Sequence, residues 1–493
     1  MKQGISFAFV AAVAAVGALA LTSPSAPVMT TTAASSQHIL FTPAVVQWEV
    51  VKEDDTPPSE SDCYAIGARC FTPASMANAY NYAGLHAAGN QGQGITIAVI
   101  DSFGSDTIRH DLNVFNTQFG LPHMCGEEGV VCATGMPTFT ILSLQGSPAT
   151  TAPPPQRACT GPSGACQEDR SAWIIETSLD VEWAHATAPM ANIVLVTTPT
   201  AETLGVQGFP PMMNAVQYVV DNGLADIVSM SLGAGEGSFH NGLAALQNMR
   251  QGFIDAQALG VTVLASTGDN GTSNPMKEPV KNPATIPYPS VGWPASDPLV
   301  TAVGGTRLCV DAVTGIGLDT SNPPSVCAHA TGREISWPFS GGGYSILFAK
   351  PSYQDTLPPG STFVGSSVGA PPPNVNMRGI PDVAYQASPG TGVLVFANSA
   401  WNLVGGTSAS SPQWAGIVAM ADQAAGRRLG FINPALYRIA NNPTQYAADF
   451  FDVTVGSNQV STIPGYLAST GWDAVTGLGT PNVANLIPDL ISP

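Results

Sequence analysis

Six short runs rich in β-branched and aliphatic residues recur along the chain: "GITIAVID" (94–101), "ANIVLVTT" (191–198), "DIVSMSL" (226–232), "GVTVLAST" (260–267), "LVTAVGG" (299–305) and "GVLVFANS" (392–399). Continuous apolar runs of this length belong to strands buried on both faces, as in a parallel sheet. Helical patterns lie between several of them, over roughly 169–187, 211–222 and 241–259. Strand, helix, strand in sequence predicts an α/β fold with a mostly parallel central sheet, flanking helices and right-handed crossovers. Three stretches, 121–168, 270–296 and 307–390, are rich in Pro, Gly, Ser and Thr instead. They are expected to be long surface loops around one domain.

The N-terminus adds a second constraint. Lys2 precedes an apolar run from Ile5 to Leu21, and small residues follow. This reads as a secretory signal peptide over 1–22, although the run would also suffice for one membrane anchor. Residues 23–62, rich in Thr, Ser, Pro and Ala and then acidic, read as a linker or short pro-segment. The remainder, 63–493, is expected to form the functional domain, and no later segment is long and apolar enough to span a bilayer. Eight cysteines suit export. Cys63/Cys70, Cys125/Cys132 and Cys159/Cys166 share a C-x6-C spacing, and Cys309/Cys327 remain. Four short-loop disulfides are the simplest pairing, with free or differently paired thiols as the alternative. The expected location is extracellular.

Charge excludes one class of partner. The chain has 16 Lys+Arg against 34 Asp+Glu, a formal net charge of -18. A nucleic-acid partner would need a basic face. Such a chain also suits an acidic medium, because with few cations its self-repulsion at low pH is limited. Ordinary surface solubility accounts for the acidity equally well.

The stretch "VGGTSASSPQWAG" (404–416) reads as a strand end, a glycine turn and a helix start. Ser408 falls where a helix would begin, among unpaired backbone N–H groups able to face an oxyanion. A serine hydroxyl needs a base. The chain has His38, His86, His110, His123, His185, His240 and His329, none in an H-G-T-H context. His185, in "EWAHATAP", reads as a packed helix residue. Glu176 and Asp180 are four apart in a helical segment, hence on one face. Trp173, Ile175, Leu179 and Trp183 around them favour the protonated form, and two coupled carboxyls titrate as a unit. A solvated acidic face is the alternative. Asp269, in "LASTGDNGT", follows a strand, where an α/β sheet gathers its ligands; as a lone feature it also reads as a turn residue.

In order along the chain, "ETSLDVEWAHATAP", "STGDNG", "VTAVGGT", "WPFSGGGYS", "GGTSASSPQWAG" and "FFDVTVG…STGWDAVTGLGTPN" together resemble the serine-carboxyl peptidases, or sedolisins. The resemblance covers nearly everything from Cys63 onward and implies a subtilisin-like fold with a glutamate in the place of histidine. It implies Ser408 as nucleophile, Glu176 as general base and later general acid, and Asp180 as the residue orienting Glu176. Asp269 would join the Ser408 N–H in stabilising the oxyanion. It also implies one calcium ion in the C-terminal segment 450–482, held by the Asp452 and Asp473 carboxylates and the carbonyls of Val453, Ser469 and Gly471. Ser469-Thr470-Gly471 departs from the Gly-Pro-Gly expected there. The family is usually made with a long prodomain, whereas only about 40 residues separate the expected signal from the domain here. Asp101, in "IAVIDSFG", stands at a strand end without an assigned task.

The expected activity is therefore endopeptidase cleavage of proteins or peptides at acidic pH, where carboxyls titrate and histidine is already protonated. The partners expected are protein or peptide substrates, with no nucleic acid, no stable membrane insertion after signal removal, and a monomeric state. Ser231-Leu232-Gly233 and Gly341-Gly342-Gly343 are expected to border the cleft, where backbone can pair with an extended peptide. The rival expectations are a tripeptidyl-type exopeptidase, an inactive binding protein on a peptidase scaffold, and a conventional subtilase with a distant histidine.

Overall fold

The structure is a computed structural model, and it describes residues 47–144, 165–202, 206–276, 285–319, 327, 332–361 and 374–492. The expected signal segment and Cys159 of the Cys159/Cys166 pair lie outside these residues. An eight-stranded sheet runs through the domain. Its strands lie in the spatial order Glu334–Ser336, Thr301–Leu308, Thr262–Ser266, Ile227–Met230, Thr96–Ser102, Asn192–Thr198 and Phe139–Ser143, and Val383–Gln386 also pairs along Thr301–Leu308. Every pairing is parallel except that of Glu334–Ser336.

Side chains alternate across this sheet into two apolar layers. Ile97 and Val99 join one layer, while Ala98 and Ile100 join the other. The first layer includes Leu179 of helix Ala165–Thr187, Ile417 of helix Thr407–Ala425 and Leu486 of helix Val483–Ile491. The second includes Met212 of helix Phe209–Asp221 and Phe253 of helix Gln251–Leu259. Fully burying an aliphatic side chain such as Ile97 contributes about 1.5–3 kcal/mol.

Three expectations need correction. "GVLVFANS" does not enter the parallel sheet. Thr391–Ala397 forms a hairpin with Ala400–Gly405 in a separate four-stranded sheet, beside Arg69–Phe71 and Gln47–Lys52. The cause is local, since Asn398 and Ser399 both take positive φ, 52° and 63°, the two-residue turn geometry that reverses a chain onto itself. The helical pattern over 241–259 is split into Leu243–Leu246 and Gln251–Leu259. Arg250 lies between them, with Nη2 donating to Asp297 Oδ1 at 2.9 Å. Finally, the stretches read as loops carry strands of the central sheet. Phe139–Ser143 is too short to register as a run, and Val383–Gln386 follows Pro381, which reads as punctuation.

Disulfides join Cys63 to Cys70, Cys125 to Cys132 and Cys309 to Cys327. Within the stretch read as a linker or pro-segment, Gln47–Lys52 is a strand. Among the described residues, no helix is long and apolar enough to cross a membrane.

Candidate active site

Two helices carry the site. Helix Ala165–Thr187 is hemmed in from Ala172 onward, with Trp173, Leu179 and Trp183 fully buried. It approaches helix Thr407–Ala425 so closely that a Cβ on Gly416 would stand 2.6 Å from that of Thr187. Strand Ala400–Gly405 turns into the second helix through Gly406, whose φ of 131° disfavours any other residue. Gly405 is needed for a different reason, since a Cβ there would sit 2.4 Å from the Pro389 nitrogen. Ser408 is therefore the second residue of the helix and is fully buried.

Glu176 and Asp180, one turn apart, are also fully buried. Burial and then the neighbouring Asp180 hold the Glu176 carboxyl well above the ordinary carboxyl range, while the nearby Ser408 hydroxyl pulls the other way. Burial and then Asp101 do the same to Asp180, opposed by Ser231. Ser231 Oγ donates to Asp180 Oδ1 at 2.9 Å and lies 3.5 Å from the Ser408 carbonyl oxygen. That carbonyl lacks the usual partner four residues on, because residue 412 is proline and has no N–H.

Asp101 is the penultimate residue of strand Thr96–Ser102, at the carboxyl edge where such sheets place ligands. It is fully buried, and burial above all pushes it up to about 7, with Thr177 of the acid-bearing helix opposing and Glu202 reinforcing. Three carboxyls thus influence one another in succession, Asp101 on Asp180 and Asp180 on Glu176.

Asp269 reaches the site from the turn after strand Thr262–Ser266. Its Oδ1 accepts from the Thr407 N–H at 2.7 Å and from Thr407 Oγ1 at 2.8 Å, and its charge acts on Glu176. The structure therefore brings Glu176, Asp180, Asp269 and Ser408 together. Gly341 packs against the same turn, its N–H donating to the Gly268 carbonyl at 2.7 Å. A Cβ there would meet the Thr267 carbonyl oxygen at 2.1 Å, so only glycine fits. His185 stands apart. It is buried, held down to about 4 chiefly by burial, and bonded through Nε2 to the Pro122 carbonyl at 2.9 Å.

The segments at 450–453 and 469–476 come together as well. Asp452 Oδ2 accepts from the Gly471 N–H at 2.9 Å, and Asp473 Oδ2 from the Ser469 N–H at 3.0 Å. Asp473 Oδ1 accepts from the Val475 and Thr476 N–H groups at 2.8 and 2.9 Å. Asp452 Oδ1 is buried and has no hydrogen-bond donor among the described residues. Among those residues no group of three or more His, Cys, Asp or Glu side chains converges, so any cation here would rest on two carboxylates and backbone carbonyls. That donor set, oxygen throughout with one orphaned carboxylate oxygen, fits a hard divalent cation.

Residue-by-residue reading missed the parts played by Thr407 and Ser231 in holding these carboxyls. The available signal for Thr407 was its place between a double glycine and the candidate nucleophile.

The sequence pattern of the subtilase family matches residues 161–436. Kumamolisin from Bacillus sp. (strain MN-32) is 31% identical over 443 residues, covering 88% of this chain and 66% of that protein. Human tripeptidyl-peptidase 1 is 30% identical over 345 residues, covering 66% and 54% respectively. Sedolisin from Pseudomonas sp. (strain 101) is 31% identical over 276 residues, covering 56% and 42%. The chain thus matches between about two fifths and two thirds of these relatives' own lengths. The solved structure of Pseudomonas sedolisin, a serine-carboxyl proteinase complexed with two molecules of pseudo-iodotyrostatin, superposes with a TM-score of 0.61 at 24% identity. That superposition covers 85% of this chain and 98% of the other. The chain belongs to the subtilase family and, within it, to the sedolisin-type peptidases.

Proposed function

We propose that this protein is a secreted serine-carboxyl endopeptidase that hydrolyses peptide bonds at acidic pH. One observation carries the reading. The titratable partner of the Ser408 hydroxyl is the Glu176 carboxyl, and no imidazole takes that place among the described residues. Ser408 Oγ attacks the scissile carbonyl carbon while Glu176 takes its proton. The Ser408 N–H and the neutral Asp269 carboxyl donate to the oxyanion. Glu176 then returns the proton to the leaving amine, the C–N bond breaks, and an acyl-enzyme remains. Water, deprotonated by the same carboxylate, releases the acid. Burial holds both carboxyls of the Glu176–Asp180 pair well above the ordinary range, and the two titrate as a unit, with Asp180 orienting Glu176.

Asp452 and Asp473, with the carbonyls of Val453, Ser469 and Gly471, would hold one Ca2+. The ion would supply a structural tie between two loops. Three disulfides support an oxidising, extracellular location. The protein acts as a monomer on protein or peptide substrates and not on nucleic acid, in keeping with a net charge of -18.

The test is cleavage of a denatured protein between about pH 3 and 8, spanning the carboxyl and imidazole ranges. Parent protein is run beside Ser408→Ala and Glu176→Ala. Acid activity lost in both variants supports the reading, and activity that falls through the histidine range as pH drops refutes it. The likeness to tripeptidyl-peptidase 1 favours a second reading, an exopeptidase. Uniform three-residue products from an unstructured substrate would establish that one instead.

A further inference from the structure

One side chain laces the Asp269 turn to the Ser408 turn. Thr407 Oγ1 accepts from the Gly268 N–H at 3.0 Å and donates to Asp269 Oδ1 at 2.8 Å. The Thr407 backbone N–H gives the same Oδ1 a second bond at 2.7 Å. Gly406 supplies no capping side chain to the helix that follows, so Asp269 caps it from 138 residues away in sequence. Thr407 is fully buried, and a hydroxyl there has no solvent with which to exchange partners.

We infer that Thr407 is a positioning residue for the oxyanion, clamping Asp269 Oδ1 with two donors so that the proton of the neutral acid is confined to Oδ2. A carboxyl oxygen that already accepts two hydrogen bonds is the poorer place for a proton. With the proton on Oδ2 alone, the acid offers the oxyanion a single donor in a fixed place and spends no time in the rotated tautomer. Thr407 also belongs to the same turn as the nucleophile, so donor and nucleophile keep their spacing as one unit. The inference rests on the reading of Asp269 given above.

Among the described residues, Glu176 is a titratable group that interacts with Asp269, and it is present in every variant of the test. Both bonds from Thr407 favour the ionised form of Asp269, so removing the Oγ1 donor raises its pKa. Activity on the neutral side depends on Asp269 keeping its proton. The neutral limb of the pH profile should therefore move to higher pH.

The experiment compares kcat and KM from about pH 3 to 7 for the parent, Thr407→Val, Thr407→Ala, Thr407→Ser and Asp269→Ala. Thr407→Val and Thr407→Ala should lose about 10- to 100-fold in kcat with little change in KM, and their neutral limb should shift upward. Thr407→Ser should restore both rate and profile. Asp269→Ala should lose about 10²- to 10³-fold. Full activity of Asp269→Ala would sink the reading of Asp269 itself, whatever Thr407 does. An impaired Asp269→Ala beside a Thr407→Val with parental kcat and profile would overturn the inference alone. If Thr407→Val and Thr407→Ala melt below the assay temperature, Thr407→Ser decides. A rate and profile near the parent's uphold the clamp, and a loss as large as that of Asp269→Ala refutes it.

Discussion

Asp180 and Asp382 are both fully buried carboxyls in one domain, and their surroundings are opposites. Asp382 faces Arg378, whose Nη1 and Nη2 donate to Oδ1 and Oδ2 at 2.8 and 2.6 Å. The Ala302 N–H, the Tyr437 hydroxyl and Asn433 Nδ2 complete its shell at 2.8, 2.9 and 3.2 Å. Burial by itself would lower the Arg378 guanidinium, but Asp382 outweighs it and holds the charge in place. Asp180 has one hydroxyl donor and further carboxyls beside it. Burial therefore does not by itself decide how a buried carboxyl is accommodated; its partners do. The fold contains a permanent buried charge at one place and proton-holding carboxyls at the other.

The sharpest way to break this comparison is at the proton-holding end. Glu176→Gln preserves shape and removes the proposed base, and it should lower kcat by about 10²- to 10⁴-fold in a peptide-cleavage assay. A variant retaining most of its activity would separate the carboxyl cluster from catalysis altogether. Next comes the permanent charge. Arg378→Met leaves Asp382 buried without its counter-charge and should destabilise the domain by about 3–5 kcal/mol in urea denaturation. Replacing both partners with apolar residues should be milder than the single change, and a double variant as unstable as the single would weaken the contrast.

The two regions should also differ in pH dependence. Asp101 is pushed up to about 7 by burial, so the folded state holds a proton that the unfolded chain releases near 4. Its stabilising contribution is complete below about 4 and falls as pH rises to about 7. Asp101→Asn should flatten that fall in the urea midpoint. His185, held down to about 4, works in the opposite sense, adding stability as pH rises from about 4 to 6.5. His185→Gln should therefore make the fall steeper. Arg378→Met should itself steepen the fall, because Asp382 then keeps its burial and loses its counter-charge. The smallest effect belongs to an exposed pair, Lys350 and Asp355, at 2.8 Å with 26% and 60% of each side chain exposed. Lys350→Ala should shift stability by less than about 1 kcal/mol.

Much of the site was legible because its signals are local. The turn before Ser408 announces itself through Gly405 and Gly406, and the spacing of Glu176 and Asp180 carries its own geometry. The clamp on Asp269 was not legible, because Thr407 lies 138 residues away and nothing in either segment names the other. Asp101 was visible at a strand end, but its influence on Asp180 follows from how the strand and helix pack. The fold divides in the same way. Strands with long aliphatic runs stood out, whereas Val383–Gln386 owes its place to pairing with Thr301–Leu308. "GVLVFANS" looked like its neighbours in composition, and only its Asn-Ser turn distinguished it.

Strand Gln47–Lys52 pairs antiparallel with Ala400–Gly405, and residue 47 stands opposite Gly405, three positions before the serine. Any cleavage of the N-terminal segment would therefore have a boundary. A cut ahead of residue 47 leaves this pairing whole. A cut after Lys52 frees the strand, and the backbone donors and acceptors of Asn402–Gly405 become an open edge beside the nucleophile's turn. An open edge recruits whatever extended chain is at hand.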